Sequence, residues 1–307
     1  MKYIIGVDLG GTTVSIGLFN SDLKLINSIV LSTEAHKGVD YILSKISSSV
    51  LNLIKSRKIS KKDVLGIGFG SPGPLDTKKG IIHFCPNLKG WKNVPLVKIV
   101  SSKTGISTYL ENDANAAAYG EWRMGSGKGV CNMLFATLGT GIGGGLILNG
   151  ELYHGKDDAA GELGHVILFP DGIKCGCGSK GCIEMYASAT GIVRRAKEAL
   201  NTSTILTSKD VYLAALKKNK IALNIMEETG RFLGIVFSSI INLLNLDMIV
   251  IGGNVSNAGE MLLKPIRKEI IRTAMYPAKN IKVIKAKLGP NAGMIGAACL
   301  VLDRINK

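Results

Sequence analysis

The chain has 307 residues, 46% of them hydrophobic and 20% charged, a composition that predicts a globular protein of one large or two ordinary domains and excludes a disordered chain. The formal net charge is +15, but the lysines that cause it are scattered in ones and twos, with no basic run among aromatic residues. We therefore expect no nucleic-acid partner, and a basic surface that attracts anionic nucleotides.

The N-terminal residues predict a strand, a glycine turn and a second strand. Tyr3 to Leu9 is a short apolar run, Gly10-Gly11-Thr12-Thr13 is the turn, and Val14 to Phe19 is the next apolar run. The first run is too short for a secretory signal because Asp8 interrupts it, so we expect a cytoplasmic protein.

Helices, strands and loops alternate over the rest of the first half of the chain. The predicted elements are a helix over Gly38 to Ser56, a strand over Val64 to Phe69, a loop over Gly70 to Pro74, a strand over Thr108 to Glu111 and a helix over Ala114 to Trp122. This alternation is typical of an α/β fold.

A second strand–turn–strand unit repeats the layout of the first. Met133 to Leu138 and Leu146 to Leu148 predict strands around the turn Gly139-Thr140-Gly141-Ile142-Gly143-Gly144-Gly145. The likeness predicts an internal pseudo-repeat, and with it two related α/β halves that face each other. We expect a small N-terminal α/β domain at residues 1–115 plus about 293–307, and a large α/β domain at residues 116–292.

The second half of the chain continues the alternation. The predicted elements are a loop over Lys174 to Gly181, helices over Ala187 to Leu200 and about Asn219 to Leu244, strands over Met248 to Ile251 and Ile281 to Ala286, and a helix over Ala292 to Ile305. Phe232 to Ile251 approaches the ~20 apolar residues of a membrane span. Polar residues such as Ser238 and Asp247 interrupt it, so we expect a buried helix that runs into a strand, and no membrane partner.

Both glycine turns are candidate phosphate sites, because glycine lets exposed backbone N–H groups approach an anion closely. A pair of ordinary hairpins is the alternative. Asp8 favours phosphate at the first turn, since a carboxylate beside a phosphate requires a cation such as Mg²⁺ between them. Two such turns could hold a polyphosphate from both sides.

The polar triplet Glu111-Asn112-Asp113 follows a strand and begins a helix. Asn and Asp are common helix N-caps, so a purely structural role is open. The functional alternative is a carboxylate that is aimed into a cleft and accepts a hydroxyl proton during phosphoryl transfer. The motif alone does not decide between the two.

One histidine and three crowded cysteines form a Cys₃His set: His165, Cys175, Cys177 and Cys182. This is a donor set of four-coordinate structural zinc in a reducing compartment, and a buried histidine among unrelated thiols is the alternative. A zinc ion here would fix the loop that carries Glu162 and Glu184, whose carboxylates can accept hydrogen bonds from adjacent sugar hydroxyls. The other cysteines are expected in the core: Cys85, Cys131 and Cys299.

These motifs together resemble the ROK family of sugar kinases, and within it the bacterial glucokinases, over nearly the whole chain. The matching motifs are Asp8-x-Gly10-Gly11-Thr12, Ser71-Pro72-Gly73-Pro74-Leu75-Asp76, Glu111-Asn112-Asp113-Ala114-Asn115-Ala116-Ala117, Leu138-Gly139-Thr140-Gly141-Ile142-Gly143-Gly144-Gly145, Gly161-Glu162-Leu163-Gly164-His165 and Cys175-Gly176-Cys177-Gly178-x-x-Gly181-Cys182-Ile183-Glu184. The resemblance implies an actin-like ATPase (ribonuclease H-like) fold, with two domains closing on a cleft.

The resemblance also implies roles for individual residues in the ATP-dependent phosphorylation of a hexose, foremost of glucose to glucose 6-phosphate. Asp113 would be the catalytic base, and Asp8 would reach Mg²⁺. The sugar would contact Gly73, Asn87, Asn112, Asp113, Glu162, His165 and Glu184. ATP would contact Gly10, Gly11, Thr12, Thr13, Gly139, Thr140, Gly141, Gly252 and Gly253. One ring nitrogen of His165 would bind structural zinc and the other would face the sugar.

The same resemblance leaves other functions open. Kinases of N-acetylmannosamine, N-acetylglucosamine, fructose or allose would share these motifs, since the pocket walls that distinguish sugars are not visible in the sequence. A sugar-responsive repressor of the same family is the alternative that is not an enzyme. It is disfavoured because the first phosphate motif begins at Asp8, which leaves no room for a helix-turn-helix segment before it. Relatives imply a homo-oligomer, either a dimer or a tetramer.

Overall fold

The computed structural model describes residues 1–85, 88–201 and 206–306, in which strands and helices alternate as expected for an α/β protein. The strands are β1 (Tyr3–Leu9), β2 (Thr13–Asn20), β3 (Leu25–Ser32), β4 (Val64–Ser71), β5 (Leu75–Asp76), β6 (Ile81–Phe84), β7 (Lys92–Val94), β8 (Thr108–Asn112), β9 (Met133–Leu138), β10 (Ile142–Leu148), β11 (Glu151–Leu152), β12 (Met248–Gly252) and β13 (Lys282–Lys285). The helices are α1 (Val39–Ser56), α2 (Leu96–Thr104), α3 (Asp113–Met124), α4 (Glu184–Ala187), α5 (Ala189–Leu200), α6 (Ser208–Leu216), α7 (Lys220–Leu244), α8 (Glu260–Thr273) and α9 (Ala292–Asn306).

Two five-stranded sheets of the same design confirm the predicted pseudo-repeat. The first sheet has the strand order β3-β2-β1-β4-β8, and the second has the order β11-β10-β9-β12-β13. In each, a glycine-turn hairpin pairs antiparallel, as β1 with β2 and β9 with β10, and the first strand of that hairpin pairs parallel with the next strand of the sheet. A small antiparallel sheet, β5-β6-β7, adds to the first half.

The chain forms two compact units, each with its own hydrophobic core. The first unit comprises Met1–Gly129, Leu152–Ala160 and the chain from Pro290 onward, and the second comprises Val130–Glu151 and Gly161–Gly289. Helix α3 lies in the first unit, and the domain boundary expected near residue 115 stays a prediction.

Helix α9 packs directly on the first sheet and on α3, because glycines remove the side chains that would keep them apart. A Cβ atom added to Gly68 of β4 would lie 2.0 Å from the carbonyl oxygen of Ala297. A Cβ atom added to Gly296 would lie 1.6 Å from the carbonyl oxygen of Ala116. Both distances are far below any real contact, so this backbone approach requires glycine at both positions.

Several elements differ from the sequence-based expectations. The sequence did not predict α8, which contains Pro265, because an interior proline argues locally against a helix. Packing overrides that preference: the ring of Pro265 occupies the space beside Gly230, where a Cβ atom would lie 2.4 Å from it. The small β5-β6-β7 sheet and helices α2 and α6 were likewise not predicted.

The core position expected for Cys131 is wrong. Cys85 and Cys299 are buried, whereas Cys131 is exposed in the turn before β9. Its backbone N–H donates to the carboxylate of Asp247 at 3.1 Å, so the local polar turn and not the apolar strand decides its environment.

The apolar stretch from Phe232 to Ile251 is the second half of α7 followed by β12, as predicted. Across the residues that the structure describes, no helix has both the length and the apolar character that crossing a membrane requires.

The contact of α3 with α9 predicts a large stability effect of one methyl group. Gly296→Ala gains about 1 kcal/mol of helix propensity, but the overlap with the Ala116 carbonyl costs about 3 kcal/mol. We expect a net loss of about 2 kcal/mol, measured by urea unfolding. Ile305→Ala, at an exposed position of the same helix, is the control and should change stability little. A Gly296→Ala protein as stable as the wild type would contradict the close packing.

Candidate functional site

The first glycine turn joins β1 to β2 and is fixed from behind by a buried threonine. The Gly10 N–H donates to the Thr13 carbonyl at 2.9 Å. Thr33, only 1% exposed, donates its N–H to the Thr12 carbonyl at 2.8 Å and its hydroxyl to the Gly10 carbonyl at 2.7 Å. Gly11, Thr12 and Thr13 keep exposed surface. The turn is therefore rigid on its inner side and open on its outer side, as an anion site requires.

Two carboxylates of the first unit lie close enough to repel each other. Asp8 is near the end of β1, and Asp113 is the first residue of α3. Burial, and secondarily the charge of Asp113, raise the pKa of Asp8 from 3.8 to about 6. A Cβ atom on Gly293 would lie 2.7 Å from Asp8 Oδ2, so the carboxylate also lies against the first turn of α9. Such a pair favours a cation or a proton beside it.

The start of α3 shows which residue of this triplet is the helix cap. Asn112 is the N-cap, and its side-chain oxygen accepts the N–H groups of Ala114 at 2.9 Å and Asn115 at 3.1 Å. Asp113 is therefore not the cap, although its Oδ1 accepts the Ala114 N–H at 2.8 Å. As the first residue of the helix it lies at the positive end of the helix dipole, which favours the ionised carboxylate.

Glu111, the third member of the triplet, is 2% exposed and pairs with a histidine that the sequence did not single out. His154 Nε2 lies 2.8 Å from Glu111 Oε2. The other oxygen accepts the backbone N–H of Asn112 at 3.0 Å and the side-chain amide of Asn115 at 3.1 Å. The residues that pair are 43 positions apart, so no local pattern could reveal this contact.

The second glycine turn, between β9 and β10, is fixed by the start of α5. The Gly139 N–H donates to the Gly141 carbonyl at 2.9 Å, and the Ala189 N–H donates to the Gly139 carbonyl at 2.9 Å. The Thr190 hydroxyl donates to the Thr140 carbonyl at 2.8 Å. The two turns thus share one design: carbonyl groups of each turn accept hydrogen bonds from a neighbouring segment of the same unit.

The Glu184 carboxylate lies directly against this second turn. Its Oε2 accepts the Ile142 N–H at 2.8 Å. A Cβ atom would lie 2.2 Å from that oxygen if added to Gly141 and 3.4 Å from it if added to Gly164. Gly141 therefore makes room for the carboxylate, whereas Gly164, in the 3₁₀ segment Leu163–His165, makes room for the Ile142 carbonyl oxygen, which would lie 2.3 Å from a Cβ atom there.

Gly252 and Gly253 lie beside the same turn at the end of β12. Gly253 has a φ of +77°, and a Cβ atom on it would lie 2.4 Å from the carbonyl oxygen of Leu138, the last residue of β9. The second unit thus brings the predicted adenosine-side glycines next to the predicted phosphate turn. Only glycine accommodates both the positive φ and the close approach.

The predicted Cys₃His set is assembled in the second unit. One donor atom from each of its members lies within 4.8 Å of the others: His165, Cys175, Cys177 and Cys182. Cys175 Sγ is 3.8 Å from His165 Nδ1, and Cys177 Sγ is 3.6 Å from Cys182 Sγ. Donors on one tetrahedral zinc are about 3.6–3.8 Å apart, so these two pairs of atoms are spaced as zinc ligands are.

The thiols of the cluster differ in how readily they ionise. A backbone hydrogen bond from Ser179 lowers the pKa of Cys177 to about 7. Burial raises the pKa of Cys182 to about 12. A metal ion that binds this thiol has to displace its proton, because the thiolate is the form that binds metal.

The remaining predicted residues lie on loops next to these elements. His165 Nε2, on the ring side opposite Nδ1, is 4.0 Å from Glu162 Oε2. Gly73 has a φ of +98° and lies against strand β6, where a Cβ atom would be 2.1 Å from the Phe84 carbonyl oxygen. Asn87 lies outside the described residues.

Comparison with known proteins adds an independent line of observation. The model of the ROK family matches residues 4–304. The chain is 36% identical to a glucokinase of Halalkalibacterium halodurans, over 99% of this chain and 96% of that protein, and 35% identical to a glucokinase of Thermotoga maritima, over 98% of both. A xylose repressor of Caldicellulosiruptor bescii is 30% identical over 98% of this chain and 78% of its own length.

Solved structures are similar over the same extent. A ROK family glucokinase from Streptomyces griseus in complex with glucose and AMPPNP has a TM-score of 0.82 at 33% identity, covering 97% of this chain and 98% of its own. A ROK hexokinase from Thermus thermophilus has a TM-score of 0.86 at 30% identity, covering 99% of both. These likenesses confirm the expected fold class, a two-domain α/β fold of the actin-like ATPase type.

The raised pKa of Asp8 predicts that this residue destabilises the protein at neutral pH. Because the folded carboxyl binds its proton more tightly than the unfolded one, the stability that this proton provides is present below about pH 4 and lost as the pH rises through about 6. The shift corresponds to about 3 kcal/mol. Asp8→Asn should therefore raise the melting temperature at pH 7 and leave it nearly unchanged at pH 4, by calorimetry without divalent cations.

Asp22→Asn is the matched control for this experiment, because Asp22 is an exposed aspartate of the same unit. It should leave the melting temperature unchanged at both pH values. An Asp8→Asn protein that is less stable than the wild type at pH 7 would show that the carboxylate is favourable in the fold, contrary to this prediction.

Proposed function

Because the chain belongs to the ROK family, we propose that it is an ATP-dependent hexose kinase that converts glucose to glucose 6-phosphate. The observation that carries the proposal is the Asp113 carboxylate, which begins α3 beside the cap residue Asn112 and within repulsive range of Asp8. Two rigid glycine turns supply the phosphate sites, and relatives that match nearly the whole chain are glucokinases.

Asp113 is the general base in this proposal. It accepts the proton of the sugar hydroxyl, and the hydroxyl oxygen attacks the γ-phosphorus of ATP while the bond to ADP breaks. Its carboxylate lies at the N-terminus of α3, where the helix dipole stabilises negative charge. The sugar's other hydroxyls are bound by residues with carboxylate, amide, imidazole or exposed backbone groups: Gly73, Asn87, Asn112, Glu162, His165 and Glu184.

ATP is bound by the two glycine turns, whose exposed N–H groups and hydroxyls face the phosphates. Its adenosine end lies toward Gly252 and Gly253, which adjoin the second turn. Mg²⁺ would neutralise charge on the phosphates, and Asp8 is the carboxylate placed to reach it. Binding of this cation would remove the repulsion between Asp8 and Asp113 that raises the pKa of Asp8.

Structural zinc is held by the Cys₃His cluster in this proposal. When bound, it supplies a fixed charge and fixed geometry and no chemistry of its own, because all four positions are protein donors. His165 binds it through Nδ1 and presents Nε2 toward Glu162 and the sugar. Cys182 precedes Glu184 by two residues, so the cluster also fixes the carboxylate on the second turn. Thiols that bind zinc and the use of ATP support a location in the cytoplasm.

A sugar-responsive repressor is the second candidate, supported by the xylose repressors among the relatives. Identity favours the kinases, at 33–36% against 29–31% for the repressors. A gel shift at physiological salt distinguishes them, since a repressor retards DNA and releases it with sugar. Retardation of operator-containing DNA together with the absence of ADP release would favour the repressor.

The decisive experiment is an ADP-release assay with ATP and a panel of sugars. We expect the highest kcat/KM with glucose, and lower values with fructose, N-acetylmannosamine and N-acetylglucosamine. A higher kcat/KM for one of these other sugars would keep the kinase and change its substrate. The absence of ADP release with every sugar would contradict the proposed activity.

The base assignment predicts that Asp113→Asn keeps the fold and ATP binding but lowers kcat by about a thousandfold. The kcat is measured in the same assay, and ATP binding by calorimetry. Asp40→Asn is the matched control, because Asp40 also lies in the first turn of a helix of the same unit. It should leave kcat unchanged. A near-wild-type kcat in Asp113→Asn would refute the base assignment.

The metal assignment predicts about one zinc per chain in the purified protein. Cys177→Ser removes one donor and should lower the zinc content and the melting temperature, by elemental analysis and calorimetry. Cys131→Ser, at an exposed cysteine outside the cluster, should keep both. A stable, active protein without metal would exclude structural zinc.

A further inference from the structure

One short segment of the first unit interrupts the chain of the second. Leu152–Ala160, here called the strap, belongs to the first unit, whereas Glu151 before it and Gly161 after it belong to the second. The Asp158 carboxylate fastens the strap by accepting the N–H of Thr77 at 2.8 Å and its hydroxyl at 3.2 Å. Near the beginning of the strap, His154 forms a hydrogen bond with Glu111.

The Glu111 side chain joins the strap to the Asn112–Asp113 turn through its hydrogen bonds. It is 2% exposed, and a buried carboxylate is costly unless its oxygens are bonded and its charge is paired. Oε1 accepts two bonds from Asn112 and Asn115, and Oε2 accepts the bond from His154. Loss of the cation would leave a buried carboxylate with one oxygen unpaired.

We infer that His154 is a positioning residue for phosphoryl transfer: its imidazolium holds the Glu111 carboxylate, which holds the turn that carries Asp113. This inference rests on the proposed function. His154 does not touch the reacting atoms in this role. It acts through Glu111, whose Oε1 accepts the Asn112 N–H and so holds the backbone from which the next residue, Asp113, presents its carboxylate.

The charges around His154 favour its protonated form. Glu111 and Asp158 attract a proton to the ring, and Arg304 of α9 opposes it. The hydrogen bond to Glu111 is the main cause that raises the pKa of His154 above its ordinary 6.5, against the opposing effect of burial. The ring also faces a cavity of about 720 Å³, whose wall carries further charged groups: Asp76, Lys78, Lys79, Lys156 and Asp157.

The pH dependence follows from the upward direction of the shift in the pKa of His154. The protonated ring, which forms the ion pair, persists above pH 6.5 and is lost as the pH rises through the raised pKa of His154. The kcat of the wild type should therefore fall on the alkaline side with this pKa. A residue with only a structural role would change the melting temperature without producing such a limb in the pH profile.

The ion pair is tested first by NMR, which needs no activity. The chain has 4 histidines, so each imidazole resonance can be assigned by substitution. We expect the pKa of His154 to lie above 6.5 in the wild type and to fall in Glu111→Gln, whose neutral amide keeps the shape of the side chain. An unchanged pKa of His154 in Glu111→Gln would overturn the inference.

The kinetic test compares three variants at several pH values with the glucose assay. His154→Gln keeps a neutral donor and should lower kcat roughly tenfold, the size expected for one charge-assisted hydrogen bond, with KM for ATP unchanged. His154→Lys keeps the charge and should keep most of kcat while losing the alkaline limb. His83→Gln is the control, because His83 lines the same cavity without contacting Glu111, and should match the wild type.

The outcomes separate the two proposals. An active wild type whose kcat and pH profile are unchanged by His154→Gln overturns the positioning role alone, even where the melting temperature falls. Equal loss of kcat in the Gln and Lys variants also overturns it, because charge would then be irrelevant. A wild type that phosphorylates no sugar overturns the proposed function and this role with it, whereas the NMR result then still decides on the ion pair.

Discussion

The hydrogen bond from the Ile142 N–H to the Glu184 carboxylate is the constraint on which the second unit's site depends. It explains why Gly141 lacks a side chain, since a Cβ atom there would overlap the carboxylate. The same carboxylate follows Cys182 by two residues, so the Cys₃His cluster, the 3₁₀ segment Leu163–His165 and the second glycine turn lie around one group. A change in any of them is expected to be felt by the others, because buried polar networks respond as units.

In the first unit, by contrast, the carboxylates of Asp8 and Asp113 repel each other. Asp8 is buried beside Asp113, which raises its pKa, and Gly293 brings α9 against it without offering a side chain. Repulsion of this kind is common where a protein must bind a cation, because a substitution that removed the repulsion would stabilise the fold but also remove the cation site. The two halves thus have sheets of the same design but different surroundings at their turns. The first turn adjoins two carboxylates that repel each other, and the second adjoins a carboxylate that accepts a backbone hydrogen bond.

The sequence predicted those parts of the site whose residues lie close together along the chain. The glycine turns, the start of α3 and the Cys₃His set each have a local signal, namely turn chemistry, a helix-start pattern and ligand spacing. The pair of His154 with Glu111, the support of the first turn by Thr33 and the helix around Pro265 have none, because tertiary contacts create them. Cys131 shows the same limit, since an apolar neighbourhood in sequence does not fix burial. The strap was invisible for a related reason: the side-chain partners of His154 and Asp158, Glu111 and Thr77, lie far from it in the sequence.

Helix α9 has a consequence for the order in which the protein can be made. It packs on the first sheet through Gly68 and on α3 through Gly296, yet the chain of the second unit is translated before it. A ribosome adds about 5–20 residues per second, so the first sheet waits for roughly ten seconds or more with one apolar face uncovered. The second unit, whose core needs no later segment, can fold during that interval. The N-terminal half of this protein is therefore synthesised first and completed last, and its nascent chain is the part that most needs a chaperone.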